Sequence, residues 1–347
     1  MKLIIQIPCF NEEGQLGLTL CALPREVPGF DVVQWLIIDD GSTDRTIEVA
    51  REHGVDHIVR LTNHKGLAAA FQAGVDAGLK LGADVIVNTD ADNQYEGADV
   101  RKLVAPIVRG EADMVVGDRQ IDTIVHFSGP KKALQRPGSW VVRQASSTHI
   151  PDTTSGFRAY NREAALQVQA VSRFTYTLET IIQAGKLLVA VEHVPIRTNP
   201  RTRESRLFPS TAAYVRRNAL SIFRIYSQYQ PLKVFWGGAL VMGLAAAALF
   251  IRFLVIFIES PHAAARGHIQ SLIAGAVLFI GAMLLGSLGV IGDLLDAQRT
   301  ISQRTFERVR RIELQLGVEP SHYEPGPGSG GRQASTGEEP DREALEV

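Results

Sequence analysis

Residues 84–94 read DVIVNTDADNQ. The first six centre on the β-branched apolar residues Val85, Ile86 and Val87, a run that suits one buried strand and is too short for a helix. It ends on Asp90 and Asp92, one residue apart, with Gln94 two places further on. Two like charges at the tip of a buried strand repel each other and lose solvation, so the pattern makes sense where a cation lies between them. Carboxylate and amide oxygens are hard ligands of the kind Mg2+ or Mn2+ accepts, and such a site leaves positions for phosphate and water.

The same grammar repeats on either side. Short apolar runs at 3–8, 32–39, 57–62 and 113–118 alternate with helical periodicity, which predicts an α/β domain: a Rossmann-like, mostly parallel sheet with helices on both faces. A further strand is expected within 186–198, whereas 152–168 read as a turn running into a helix. Ligands of such sheets bind beyond the carboxyl ends of the strands. Those ends carry Asn11, Glu12, Asp39, Asp40, Asn63, Asp90, Asp92 and Arg119. After the third run, Gly66, Ala70, Gly74 and Gly78 recur every four residues on one helical face. Either that ridge serves close packing alone, or the helix start, with Lys65 beside it, also directs N–H groups and its dipole at a phosphate.

A chain of 347 residues, 45% of them apolar, can bury a sizeable core. The net charge of -1 names no partner, and nucleic acid is not expected. Bases do cluster from 197 to 233, as Arg197, Arg201, Arg203, Arg206, Arg216, Arg217, Arg224 and Lys233 against the lone Glu204, which points to an anionic surface. Cys9 and Cys21 have no metal-type spacing, so a reducing compartment is the simple expectation. No signal peptide is read at the N-terminus.

Residues 234–258 and 271–292 each supply roughly 20 apolar residues, enough to cross a bilayer. Basic residues flank the pair on both sides, while the connecting loop has Arg266 alone; the positive-inside bias therefore places both flanks in the cytoplasm. The expected organisation is an α/β domain at 1–209, an amphipathic helix at 210–232, spans at 233–258 and 271–295 joined by an external loop at 259–270, a cytoplasmic helix at 296–318, and a disordered tail at 319–347. The 210–232 helix suits either the headgroup plane or a face of the domain. Small residues in the spans, together with near-heptad spacing of Ile301, Thr305, Arg308, Ile312 and Leu316, allow a homo-oligomer or serve contacts within one hairpin. The Gly- and Pro-rich tail has little to bury.

PCFNEE (8–13), IIDDGSTDRT (37–46), the N-x-x-G-x-x-x-A-x-x-x-G series from Asn63 to Gly74, DADNQ (90–94), GDR (117–119) and TSGFR (154–158) resemble, in order, the motifs of glycosyltransferase family 2 with its GT-A fold. More closely they are similar to polyprenyl-phosphate glycosyltransferases of the dolichyl-phosphate mannose or glucose synthase type, over about 1–230. The resemblance implies inverting transfer of a single sugar from a UDP- or GDP-hexose to a polyprenyl or dolichyl phosphate at the cytoplasmic membrane face. It implies that Pro8, Phe10, Asn11, Glu12, Lys65, Gly66 and Ala91 border the nucleotide, that Asp39 or Asp40 accepts a base N–H, and that Asp90 faces the ribose or the metal. Asp92 and Gln94 would hold Mg2+ or Mn2+, and Arg119 would meet phosphate. The catalytic set is then Asp90, Asp92 and Arg119. In two places the chain departs from its relatives: Tyr95-Glu96-Gly97 stands where they often have His-x-Pro, and Phe10 replaces a frequent Tyr.

A lipid monophosphate is already an oxyanion, so its transfer needs orientation and positive charge more than a general base. Lys131, Lys132, Arg136, Arg158, Arg203 and Arg206, with Ser155, are the candidates, each with a plain surface role as the alternative. Asp152 either orients the acceptor side or caps the next helix. QRPGSW (135–140) falls short of the Q-x-x-R-W signature of processive polysaccharide synthases, because Ser139 stands where Arg belongs. A catalytically inactive nucleotide-sugar-binding scaffold is the other alternative; a complete metal-ligand set argues against it.

Overall fold

The structure, a computed structural model, describes residues 1–120, 148, 150–170, 176–200, 224, 226–259 and 269–331. Strand β1 (Lys2–Cys9) is apolar along nearly its whole length because both of its faces are covered, as expected for a central strand of a parallel sheet. Its residues divide with period two. Ile4 joins one core cluster with Leu36, Ile38, Phe71 and Tyr160, and Leu3, Ile5 and Ile7 join the other with Ile37, Val87 and Phe157. Each such side chain, fully withdrawn from water, contributes about 1.5–3 kcal/mol.

Parallel neighbours β2 (Val32–Asp39) and β4 (Val85–Asn88) flank β1, and β3 (His57–Arg60) follows β2. Helices α1 (Leu16–Ala22), α2 (Thr46–Glu52), α3 (Leu67–Lys80) and α4 (Val100–Val108) fill the intervals up to β5 (Met114–Asp118). The glycine ridge of α3 lies against the sheet. A Cβ on Gly74 would come 2.7 Å from Ile38 Cδ1, and one on Gly78 would come 2.9 Å from Ile86 Cδ1.

Two features depart from the sequence reading. Residues 158–161, expected in a turn and helix, form β6 (Arg158–Asn161), inserted antiparallel between β4 and β5 before the short helix α5 (Arg162–Gln167). Four residues flanked by turns carry almost no periodicity, and only the vacant place beside β4 makes them a strand. Helix α6 (Thr177–Lys186) then leads to β7 (Val191–Pro195) on the outer edge. The second departure is the tail, expected to be disordered from 319. Tyr323–Pro325 form β8, antiparallel to β3, and close the eight-stranded order β7-β5-β6-β4-β1-β2-β3-β8. Glycine makes this docking feasible: a Cβ on Gly326 would collide with the Val55 carbonyl, and the Gly326 N–H donates to Asp56 O at 2.8 Å. Residues 332–347 lie outside the described residues.

Helices α7 (Pro231–Glu259) and α8 (Ile269–Gln315) are both long and apolar enough to cross a membrane. Three glycines of α8 make close contacts across the hairpin. Gly275 packs on Phe250, Gly281 on Met242 and Gly289 on Trp236. The second expected span and the helix expected after it are one helix, since α8 runs unbroken for 47 residues, ~70 Å at ~1.5 Å per residue against a hydrocarbon core of about 30 Å. Its distal half lies on the α/β domain. Asp296 pairs with Lys186, Arg299 Nη2 donates to Glu179 at 2.6 Å, and Lys80 meets Glu313 at 3.1 Å. Arg310 is buried and donates to the carbonyls of Ala165, Leu166 and Val168 at 3.1–3.3 Å, satisfying the end of α5. Ile301, Ile312 and Leu316 stay exposed. Of the expected helix at 210–232, only its end is described; Tyr226 and Tyr229 pack on the domain.

Candidate functional site

The loops after β1 and β2 are knitted together. Asn11, at φ 54°, accepts the Thr43 N–H on its Oδ1 at 2.8 Å, while its own N–H donates to Ser42 Oγ at 2.9 Å. The Glu12 N–H donates to Thr46 Oγ1 at 2.9 Å. Gly41 is required at the crossing: at φ 76°, a Cβ would meet the Asn63 carbonyl carbon at 2.8 Å. Pro8 is buried in β1, and Phe10, exposed, stacks on His64 with centroids 4.0 Å apart.

Asp39 and Asp40, equivalent candidates in the sequence, have different surroundings. Asp40 accepts the N–H groups of Lys65 and Gly66 at 2.7 and 2.8 Å and faces His64 Nδ1 at 2.8 Å. Both of its oxygens are therefore engaged. Just before α3, the anion that receives the Lys65 and Gly66 N–H groups is thus Asp40. Asp39 is fully buried; its Oδ1 accepts the Ser42 N–H at 3.0 Å, and its Oδ2 has no hydrogen-bond partner, with Arg60 Nε at 3.7 Å. A buried acceptor without a hydrogen bond is what an incoming N–H donor requires.

Beyond β4, the antiparallel register Asn88↔Arg158 brings the residues preceding β6 over the DADNQ turn. A Cβ on Gly156 would lie 3.0 and 3.1 Å from the two Asp90 oxygens. Burial and the Asp92 charge push the Asp90 carboxyl up to about 7, against the opposing pull of Arg119 and a hydrogen bond from Tyr95. Such a pair calls for a cation. The donor set, two carboxylates and the amide of Gln94, is all hard oxygen. No group of three His, Cys, Asp or Glu gathers among the described residues. The set thus fits a divalent ion that takes the rest of its shell from phosphate and water. Asp92 Oδ1 accepts the Gln94 N–H at 3.1 Å, and the buried Ala91 accepts from Thr19 Oγ1 at 2.8 Å.

Arg119 joins this cluster through a two-pronged ion pair with buried Asp152, Nε to Oδ2 at 2.6 Å and Nη2 to Oδ1 at 2.9 Å, and Nη2 also reaches Thr154 Oγ1 at 2.7 Å. The pair holds the Asp152 carboxyl below its usual range in spite of burial. Asp152 therefore orients Arg119.

Arg158 and Ser155, expected at the acceptor phosphate, do not reach it. Arg158 is 0% exposed and gives its N–H groups to the carbonyls of Ser155 (2.8 Å), Thr177 (2.8 Å) and Thr153 (2.9 Å) and to Thr180 Oγ1 (2.7 Å). Ser155 is equally buried. At the first residue of buried β6, Arg158 is held by three backbone carbonyls and one hydroxyl and clamps the TSGFR turn. Lys131, Lys132, Arg136, Arg203, Arg206 and the 135–140 segment lie outside the described residues.

The sequence reading missed the support beneath Asp90. Asn88 Nδ2 donates to Gly156 O and Tyr176 Oη, each at 2.8 Å, and Gln6 Nε2 donates to Asn88 Oδ1 at 2.9 Å. Tyr95 was noted only as a departure from the family pattern; its buried ring stacks on Phe157 at 5.1 Å. Polar Gln6 and Asn88 inside apolar strands were the available signal.

Residues 4–168 match the profile of Glycosyl transferase family 2. An uncharacterized glycosyltransferase of Mycobacterium bovis is 31% identical over 199 residues, 57% of this chain and 85% of that one. An undecaprenyl-phosphate mannosyltransferase of Micrococcus luteus is 29% identical over 206 residues, covering 56% and 83% respectively. Among solved structures, glucosyl-3-phosphoglycerate synthase of Mycobacterium tuberculosis superposes with a TM-score of 0.50 at 20% identity, over 64% of this chain and 79% of that one, a likeness of fold alone. With the GT-A sheet, the carboxylate turn at its rim and these relatives together, the chain belongs to glycosyl transferase family 2 and is a glycosyltransferase.

Proposed function

We propose that this chain is a membrane-anchored transferase that moves one hexose from a nucleotide-sugar to a polyprenyl phosphate, with inversion, on the cytoplasmic side. The observation that carries the reading is the gathering of buried carboxylates at the strand tips, Asp39 with one oxygen lacking a hydrogen bond and Asp90 raised by burial and by Asp92, on a domain clamped to a helix long enough to enter a bilayer. The mannosyltransferase relative, whose name specifies a polyprenyl phosphate acceptor, supports the acceptor class.

In this reading Asp39 Oδ2 accepts an N–H of the base, and Phe10 with His64 offers the ring face beside it. Asp90, Asp92 and Gln94 would hold Mg2+ or Mn2+, which when bound neutralises charge on the diphosphate leaving group. Arg119, kept in place by Asp152, adds fixed positive charge beside Asp90. A phosphate oxygen of the lipid attacks the anomeric carbon as the bond to the diphosphate oxygen breaks. No proton has to be removed, because the nucleophile arrives ionised.

Purified full-length protein given labelled UDP- or GDP-hexoses, Mg2+ and a polyprenyl phosphate should yield lipid-extractable label at one sugar per lipid. EDTA should abolish it, and Asp92→Asn should lower it by at least about 100-fold. Absence of lipid-linked label with every donor overturns the proposal. Many sugars per lipid would favour a processive synthase instead.

A further inference from the structure

We propose that Arg60 is a second base-reading residue beside Asp39 and that the pair selects a uridine over a guanosine diphosphate; this rests on the reading of Asp39 as the acceptor of a base N–H. Arg60 is the last residue of β3 and the register partner of Asp39 at the end of β2. Its Nε stands 3.7 Å from Asp39 Oδ2, the oxygen that lacks a hydrogen bond. The backbone on both sides fixes this placement: the Leu61 N–H donates to Asp39 O at 2.8 Å, and the Arg60 N–H donates to His322 O, next to β8, at 2.9 Å. The guanidinium is not spent elsewhere, since the side chain is 53% exposed and has no hydrogen-bond acceptor among the described residues. A donor and an acceptor thus stand side by side, too far apart to satisfy each other.

What the pair can read follows from the number of open acceptors. Asp39 Oδ1 already receives the Ser42 N–H at 3.0 Å, so Oδ2 is the oxygen left for a base. Uracil presents one ring N–H between two carbonyls. With that N–H on Oδ2, a carbonyl falls on the Arg60 side whichever way the ring faces, and the guanidinium donates to it. Guanine presents its ring N–H between one carbonyl and an amino group. With the carbonyl turned to Arg60, the amino group is driven to the side where the Ser42 N–H already occupies Oδ1; turned over, it meets the guanidinium, donor against donor. Either placement leaves a buried N–H without an acceptor of its own, and that costs affinity. The Phe10 ring, stacked on His64 with centroids 4.0 Å apart, offers a face that any base accepts, so the choice falls to the edge of the base.

UDP and GDP share the ribose and the diphosphate, so the ratio of their affinities isolates the base. Each is to be titrated calorimetrically, with Mg2+ present, into full-length wild-type and Arg60→Met proteins in detergent, with thermal melts alongside. Wild type should bind UDP at least about tenfold more tightly than GDP, a comparison that needs no variant to fold. Arg60→Met keeps the length of the side chain and removes its donors; it should weaken UDP about tenfold and bring the two nucleotides to within about threefold of each other. A merely electrostatic role for Arg60 would weaken both equally. UDP bound no more tightly than GDP by wild type, or an unchanged ratio in Arg60→Met, overturns the proposal and leaves the transferase reading standing. Wild-type protein that binds neither nucleotide removes the base site at Asp39, and this inference with it.

Discussion

The rim of strand tips and the clamp of α8 on the helices of the domain use the same residue types to opposite ends. In the clamp most of the buried charge is matched: Arg310 Nη1 caps three carbonyls, its Nε alone lacking a hydrogen bond at 3.7 Å from Asp76, and Lys80 meets both Asp76 and Glu313. At the rim, Asp39 keeps a buried oxygen without a hydrogen bond, and Asp90 is raised to about 7 by burial and by its neighbour. Satisfied charge marks architecture, and unsatisfied charge marks the place where a ligand completes the structure.

Arg158 tests this division most severely, because it lies in a rim motif yet is bonded like a clamp residue. Arg158→Met orphans three carbonyls and should cost about 4 kcal/mol or more in denaturant unfolding. A folded variant with only a weakened acceptor KM would restore the phosphate role. On the clamp itself, Arg310→Ala should cost about 3 kcal/mol and raise hydrogen exchange at the end of α5. Exchange unchanged there would mean that α8 rests on the domain without holding it.

A pH series probes the sheet edge that β8 closes. Burial and the Lys2 charge push His57 down to about 4, while Asp56 opposes them; its ring lies between Tyr323 Oη at 3.0 Å and Gln34 Oε1 at 2.9 Å. The folded state therefore binds fewer protons than the unfolded chain. Stability should be full above about 6.5 and decline as pH falls towards 4, by about 2 kcal/mol after allowance for solvent at the sheet edge. His57→Gln should flatten the decline; an unaltered profile would assign it elsewhere. The smallest effects should separate the adjacent acids. Asp40→Asn should lower stability by about 1 kcal/mol at the start of α3. Asp39→Asn should leave stability nearly unchanged and raise the donor KM about tenfold, equivalent to about 1.4 kcal/mol. The opposite assignment of effects would break the comparison.

Much of the rim was legible in one dimension, because a charged pair directly after an apolar run is a local pattern with a local physical reason. The roles within it were not. Asp39 and Asp40 are adjacent and chemically identical, and only the path of the 63–66 loop decides that one caps a helix while the other stays open. Arg158 reads as a phosphate ligand until β6 buries it.

The chain's order of apolar runs and its local chemistry determined the parallel core, the two long apolar helices and the carboxylate turn, since period, length and charge spacing act over a few residues. Tertiary structure alone decided that a glycine-rich tail becomes an edge strand, that α8 continues onto the catalytic domain, and that Gly156 meets both Tyr95 and Asp90. Those outcomes depend on which edge, groove or orphaned polar group lies within reach once distant segments pack, and no neighbouring residue carries that information.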